Sequence, residues 1–145
     1  MKVSTKGRYA LRMLLDLAER RNDGFVSLKE IAKRQNISKQ YLEQIVSLLH
    51  TSDILRANRG KQGGYMLAKS PSECTVREIL RLTEGSLAPV ACLEDDVNRC
   101  EQAAFCKTLP MWAGLNRAVT DYLDGVTLQD MLEQYEKQGA DSYVI

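Results

Sequence analysis

Several familiar signals are missing from this chain of 145 residues. No apolar run approaches the ~18 residues that a membrane-spanning helix needs, so no membrane partner is expected. The opening MKVSTKGRYALR carries charge but no apolar core, so it does not read as a secretory signal. A cytoplasmic location is therefore the expectation. There is no CxxC pair of the kind that builds zinc ribbons. There is no glycine-rich nucleotide loop and no acid/base pair, so nothing points to an enzyme. Internal repeats and low-complexity tracts are absent. The length suits one ordinary domain, or a small domain with an appendage. With 44% hydrophobic and 27% charged residues, the chain should fold and stay soluble.

Net charge is also nearly missing, at +1, but its placement is uneven. Residues 1–69 hold 14 Lys and Arg against 6 Asp and Glu, a net of +8, and residues 70–145 hold 6 against 13, a net of −7. A basic half is suited to a polyanion, nucleic acid first. Simple attraction between the two halves is the plainer alternative.

Along the chain the period is helical, with one interruption. Tyr9, Ala10, Met13, Leu14, Leu17 and Ala18 recur at helical spacing over residues 5–20, and Asn22-Asp23-Gly24 stops the run. Ser27-Leu28-Lys29-Glu30 is a capping box opening a short helix with Leu28, Ile31 and Ala32 inward. Asn36-Ile37 turns the chain, and Ser38 caps a further helix to about Leu49 with Leu42, Ile45, Leu48 and Leu49 on its apolar face. Two short capped helices joined by a tight turn read as helix-turn-helix. Ile54-Leu55-Arg56 and Tyr65-Met66-Leu67 are short strands around Gly60, Gly63 and Gly64, which makes a hairpin with a basic tip, the wing of a winged helix. Thr75-Val76-Arg77-Glu78 caps a helix that Gly85 ends, and residues 86–106 show no period. Pro110 suits the first turn of a long helix, Asp124-Gly125 breaks it, and Thr127 caps a last helix to about Gln138.

The expected fold is mainly α: a winged helix-turn-helix domain over residues 1–85, a cysteine-rich loop over 86–108, and a dimerisation helix with a C-terminal helix and tail over 109–145. On the second helix of the motif, Lys39, Gln40, Glu43 and Gln44 face away from the apolar side and are candidates for reading base edges. Tyr41 and Ser38 suit phosphates. Arg59, beside Lys61 on the wing, suits a narrow minor groove. Lys2, Lys6, Arg8 and Arg56 add phosphate contacts and salt dependence. Glu43 repels phosphate unless a base amine meets it, so it either rejects wrong sites or is a plain exposed glutamate. Met111, Trp112, Leu115, Ala118, Val119, Tyr122 and Leu123 form an apolar stripe too wide for a small domain to cover from within. It reads as a homodimer interface for a two-fold double-stranded DNA operator, or else as core packing.

Three of the four cysteines, Cys92, Cys100 and Cys106, lie within fifteen residues, CLEDDVNRCEQAAFC. Thiolates are the soft ligands that iron–sulfur clusters take. Zinc with a fourth ligand and a redox disulfide within the trio are the other readings. Cys74, just before the Thr75 cap, reads as structural.

At KVSTKGRYALRML, ISKQYLEQIVSLL, RGKQGGYMLAKSP, TVREILRLTEG and YLDGVTLQDML the chain resembles the bacterial winged-helix regulators that include IscR, NsrR and CymR, and the resemblance covers essentially the whole chain. It implies a homodimeric DNA-binding protein, usually a repressor. In the cluster-binding members, three cysteines between the wing domain and the dimerisation helix ligate an iron–sulfur cluster, which here implies Cys92, Cys100 and Cys106 around a 2Fe–2S cluster. The histidine that IscR-like members place three residues after the last cysteine is Leu109 here, and the N-terminal aspartate of NsrR-like members is Arg8. The only histidine, His50, sits at the end of the reading helix, as a cap or phosphate contact. Glu94, Asp95, Asp96 and Glu101 are the nearby carboxylates that could complete the ligand set. CymR-like members lack the trio and answer to cysteine supply, and LAPVACLEDD and the Tyr-Val-Ile ending look like theirs. The chain reads as a CymR-like frame carrying an IscR-like cluster site. The implied targets are genes for iron–sulfur assembly, with cysteine metabolism as the alternative.

Overall fold

Short polar side chains start the helices. A computed structural model of the chain describes residues 2–61 and 63–142, with side chains as far as residue 139, so the Tyr-Val-Ile ending lies outside the described residues. Ser4 accepts a hydrogen bond from the Gly7 N–H at 3.2 Å and opens α1 (Thr5–Glu19). Ser27 caps α2 (Leu28–Gln35) through the Glu30 N–H at 3.2 Å. Ser38 caps α3 (Lys39–Leu49) through the Tyr41 N–H at 3.1 Å. Each cap satisfies one of the amide donors a helix start leaves unpaired. Between α2 and α3 the chain reverses at Asn36, whose φ of 54° is left-handed, and the Ile37 N–H donates back to the Ala32 carbonyl at 3.1 Å.

The wing is a two-stranded antiparallel hairpin, β1 (Leu55–Asn58) and β2 (Gly64–Leu67), with Leu55 opposite Leu67 and Asn58 opposite Gly64. Val26, just ahead of α2, adds a single bridge to Tyr65, each exchanging its N–H and C=O with the other at 2.8 Å. That bridge is why residue 64 is glycine, since a Cβ there would lie 2.4 Å from the Val26 carbonyl oxygen. At the tip, Gly60 adopts φ +124°, which a side chain would strain.

Thr75 caps α4 (Val76–Glu84) through the Glu78 N–H at 3.1 Å. Short 3-10 turns at Ala91–Leu93 and Ala103–Phe105 are the regular structure of the loop that follows. α5 (Leu109–Asp124) starts at the proline turn, and α6 (Leu128–Ser142) runs four residues past the expected end. At the start of α6 the box is reciprocal: the Asp130 N–H donates to Thr127 Oγ1 at 3.0 Å, and the Thr127 N–H donates to Asp130 Oδ2 at 2.9 Å.

The core sits between α1, α2, α3, α4 and the hairpin, built on Met13, Leu14, Ile31, Leu42, Ile45, Leu49 and Ile54. On α3 the buried arc is Leu42, Ile45, Val46 and Leu49, and Leu48 is only half-buried. α6 folds back onto this head: Leu128 is fully buried in the same core, its N–H donates to the Cys74 carbonyl at 3.0 Å, and the Val76 N–H donates to Val126 at 2.8 Å. Cys74 is fully buried, and burial pushes its thiol pKa up to about 11, in keeping with a structural role. No helix of the described residues is long and apolar enough to cross a membrane.

Candidate nucleic-acid interface and cysteine loop

α3 is fixed from behind by its buried arc, so its opposite face is bare. Lys39, Gln40, Glu43 and Gln44 are all exposed, as are Ser38 before them and Arg56, Arg59 and Lys61 on the wing. Lys39, Arg59 and Lys61 come together on a cleft of about 640 Å3 between the α2 start, α3 and the hairpin. The same cleft holds Lys29, Ser47, His50 and Asn58. Of these, Lys29, Ser47 and Asn58 escaped the reading of the sequence. Lys29 had a signal, because it stands in the first turn of a capped helix, where the N-terminal amides favour anions.

Tyr41, expected to contact phosphate, is also a packing residue. Its ring packs edge-on against Tyr9, centroids 5.5 Å apart, and is half-buried, while the Arg12 guanidinium lies 5.2 Å over the Tyr9 ring. Lys2 and Arg8 are exposed at the N-terminal end, Arg8 donating to Thr5 Oγ1 at 3.0 Å, and Lys6 is half-buried.

One buried charge orients α2 against α1. Asp16 on α1 is the only buried charged residue among those described. It accepts from Arg34 at 3.0 and 2.7 Å and from Gln35 at 3.0 Å, both at the end of α2. Arg12 also donates to the Gln35 carbonyl, so α1 grips the end of α2 just before the turn into α3.

α5 has no buried residue. Met111, Leu115 and Tyr122 are 54%, 41% and 68% exposed, and Trp112, Val119 and Leu123 are half-buried. Val3, Leu80, Ala118, Val119, Tyr122 and Leu123 line an apolar groove that carries the stripe onto the head. Within one chain, then, the stripe is not core packing.

The cysteine loop is open to solvent. Cys92 and Cys106 are half-buried, Cys100 is exposed, and all four cysteines are free thiols. Cys92 and Cys100 share a small cleft with Asp95, Val97 and Arg99, and Cys106 stands outside it. Among the described residues no three His, Cys, Asp or Glu side chains are gathered closely enough to hold a metal ion. Cys106 Sγ lies 3.3 Å from Thr108 Oγ1, at the start of α5. The Thr108 hydroxyl and nearby backbone amides hold the Cys106 thiol pKa below its ordinary value. Leu109, three residues on, offers no donor atom.

A helix-turn-helix with a bare polar face, a basic wing and an uncovered apolar helix behind it define a winged-helix transcriptional regulator. The chain belongs to the Rrf2 family, whose model, described as an iron-dependent transcriptional regulator, matches residues 3–134. It is 39% identical over 131 residues to the HTH-type transcriptional regulator CymR of Bacillus subtilis, covering 90% of this chain and 89% of the relative. The solved structure of that global cysteine regulator superposes with a TM-score of 0.76 at 36% identity, covering 92% of this chain and 98% of the other. IscR of T. potens superposes with a TM-score of 0.74, also at 36% identity, covering 95% of this chain and 90% of the other. These relatives are regulators that bind DNA, not enzymes.

Proposed function

We propose that this chain is a homodimeric repressor whose cysteine loop reports iron–sulfur status to the DNA-reading head, acting on genes for iron–sulfur assembly. The observation that carries it is the position of the trio: Cys92, Cys100 and Cys106 stand on a solvent-open loop that joins α4 of the reading head to the uncovered α5. Lys39, Gln40, Glu43 and Gln44 would read base edges, while Ser38, Arg56, Arg59 and Lys61 hold the backbone and groove. The stripe from Met111 to Leu123 would pair two copies, setting two reading heads against a two-fold operator.

The donor set fits a cluster in kind, since three soft thiols lie on one loop and the Thr108 hydroxyl holds the Cys106 thiol pKa below its ordinary value, though the loop would have to bring Cys106 to the other two. A bound 2Fe–2S cluster would supply a redox-responsive crosslink of the loop. Cys92, Cys100 and Cys106 would hold it, with Glu94, Asp95, Asp96, Glu101 or an external ligand as the fourth. A coupling of only ~1–3 kcal/mol between loop and head changes operator affinity several-fold.

A second reading keeps the DNA binding and drops the cluster: a CymR-like regulator answering to thiol state or to a partner enzyme of cysteine metabolism. It is favoured by the separation of Cys106 from the Cys92–Cys100 cleft and by Leu109. Anaerobic purification with iron, sulfide and zinc counted per chain separates the two. Iron and sulfide that vanish in Cys92→Ala, Cys100→Ala or Cys106→Ala support the cluster reading. A protein that stays iron-free after reconstitution, yet binds its operator, establishes the second.

A further inference from the structure

Next to the Cys92–Cys100 cleft, sharing Asp95 with it, lies a larger open cavity of about 610 Å3 that the DNA-binding reading does not use. That volume is in the range of sites for small molecules. One wall is α4, which presents Arg77 and Arg81 one turn apart. The opposite wall is α5, which presents Asn116 and Thr120, also one turn apart. The loop residues Glu94, Asp95 and Asp96 close the rim. Asn116 and Thr120 lie beside the apolar stripe of α5 rather than on it, so pairing through the stripe leaves them to the cavity.

None of the charged side chains lining this cavity is ion-paired with another of them. Arg81 makes no ion pair among the described residues, and neither do Glu94, Asp95 and Asp96. Arg77 reaches only Asp124, at 3.7 Å, where both side chains are partly exposed, so that pair is easily exchanged. One cavity thus offers a cationic wall, a neutral hydrogen-bonding wall and an anionic rim. An anion alone would meet the rim carboxylates, and a cation alone would meet the arginines. A ligand carrying both charges satisfies both sides, its carboxylate on the guanidinium groups and its ammonium at the rim.

We propose that the cavity between α4 and α5 binds a free amino acid as its zwitterion, with Arg81 as the carboxylate anchor and Asp95 as the ammonium acceptor. Its walls belong to the reading head and to the dimer helix, so occupancy would fix the angle between them. That regulatory part rests on the DNA-binding reading; the binding itself does not. Asp95 also lines the Cys92–Cys100 cleft, so the ligand would share a residue with the loop's thiol pair.

The test is calorimetry on the full-length protein with each common L-amino acid in turn, using ethanolamine and acetate as half-ligands. At least one amino acid should bind saturably while neither half-ligand does. Arg81→Gln and Asp95→Asn should each weaken that binding by about tenfold or more, the scale of one charged hydrogen bond. Circular dichroism and operator binding on the same samples show that the variants are folded. Absence of binding by every amino acid to protein that still binds its operator overturns the proposal and leaves the regulator reading intact. So does binding indifferent to both substitutions, or acetate binding as tightly as the amino acid. Amino-acid binding in a protein that ignores DNA would keep the site and remove the regulator reading.

Discussion

Replacing Arg34 with alanine should cost this fold more than replacing Asp16 with asparagine, although both break the same ion pair. The Asp16 side chain is 1% exposed and that of Arg34 is 30% exposed. Arg34→Ala strands a buried carboxylate that retains Gln35 at 3.0 Å and Arg20 at 3.8 Å. Removing one partner of a buried pair costs ~3–5 kcal/mol, and the two remaining partners keep the loss near ~3 kcal/mol. Asp16→Asn keeps one acceptor oxygen for Arg34 Nε and Gln35 but puts an N–H group where the other oxygen accepted from Arg34, so that bond is lost and the rest lose their charge assistance. Because the arginine already reaches water, its freed N–H is hydrated, and the cost stays at ~1.5–2 kcal/mol. At about 3–4 °C per kcal/mol for a chain of this size, melting should fall by ~9–12 °C for Arg34→Ala and ~5–8 °C for Asp16→Asn. The double variant should melt well above the additive expectation, because the stranded charge is gone. The pH dependence follows from the same contacts. Burial raises the Asp16 pKa, but the bonds from Arg34 and Gln35 and the charges of Arg34 and Arg20 outweigh it and hold it below the usual carboxylate range. A depressed native pKa gives stability that is fully present above the unfolded value near ~3.9 and is lost as pH falls through the native one. Wild type should therefore lose this contribution below about pH 4, and Asp16→Asn should lack that part of the acid loss. Thermal melts of the four proteins at neutral and acid pH decide it. Equal single losses and an additive double would refute the clamp.

Three other outcomes are expected. Removing Arg59 and Lys61 together by Arg59→Ala and Lys61→Ala should flatten the salt dependence of operator binding by ~0.9 in log–log slope for each phosphate no longer neutralised, and an unchanged slope would take the wing off the DNA. Leu128→Ala should cost ~2–5 kcal/mol in urea denaturation, whereas a loss under ~1 kcal/mol would mean that α6 is not docked. Thr108→Val should raise the Cys106 pKa and slow its alkylation at neutral pH, followed by peptide mass spectrometry; Cys92 and Cys100 should react as before, and an unchanged Cys106 rate would dismiss the hydroxyl as the cause.

The helix starts were legible because a cap is local. Ser27, Ser38, Thr75 and Thr127 each bond an amide three residues on, and that spacing is written in the chain. Which residues an arc buries was legible only to within a neighbour: α3 turns Val46 inward and leaves Leu48 on the flank. Contacts between distant segments left no mark. The Val26–Tyr65 bridge, the docking of Leu128 beside Cys74 and the Asp16–Arg34 clamp all depend on where the chain returns, which no local period encodes. Tyr41 shows the same limit, since an exposed-looking tyrosine at a helix start becomes a packing residue once Tyr9 arrives beside it. In the cysteine loop only the chemistry could be read. The chain there has no period to fix its path, and the path decides that Cys92 and Cys100 line one cleft while Cys106 sits at the foot of α5.

The way α5 is held bears on how a signal in that loop would reach DNA. Its C-terminal end is tied to the reading head by the Val126–Val76 and Leu128–Cys74 backbone bonds and by Arg77 to Asp124. Its N-terminal end hangs from the loop that carries the thiols, with Cys106 three residues ahead of it. α5 is thus tied to the head at its C-terminal end and to the thiol-bearing loop at its N-terminal end. Its 16 residues span roughly 24 Å at 1.5 Å per residue, so a tilt of only about 5° about the C-terminal end would move the N-terminal end by ~2 Å. If two copies pair through the exposed stripe, such a tilt changes the separation of the two reading helices by a similar amount, a small fraction of the ~34 Å between half-sites yet comparable with the reach of a hydrogen bond. A ligand that orders the loop therefore need not touch DNA or the reading helix. It has only to favour one tilt of α5, and the cavity that the loop lines together with both helices, with Asp95 from the loop and Thr120 from α5, is placed to do that.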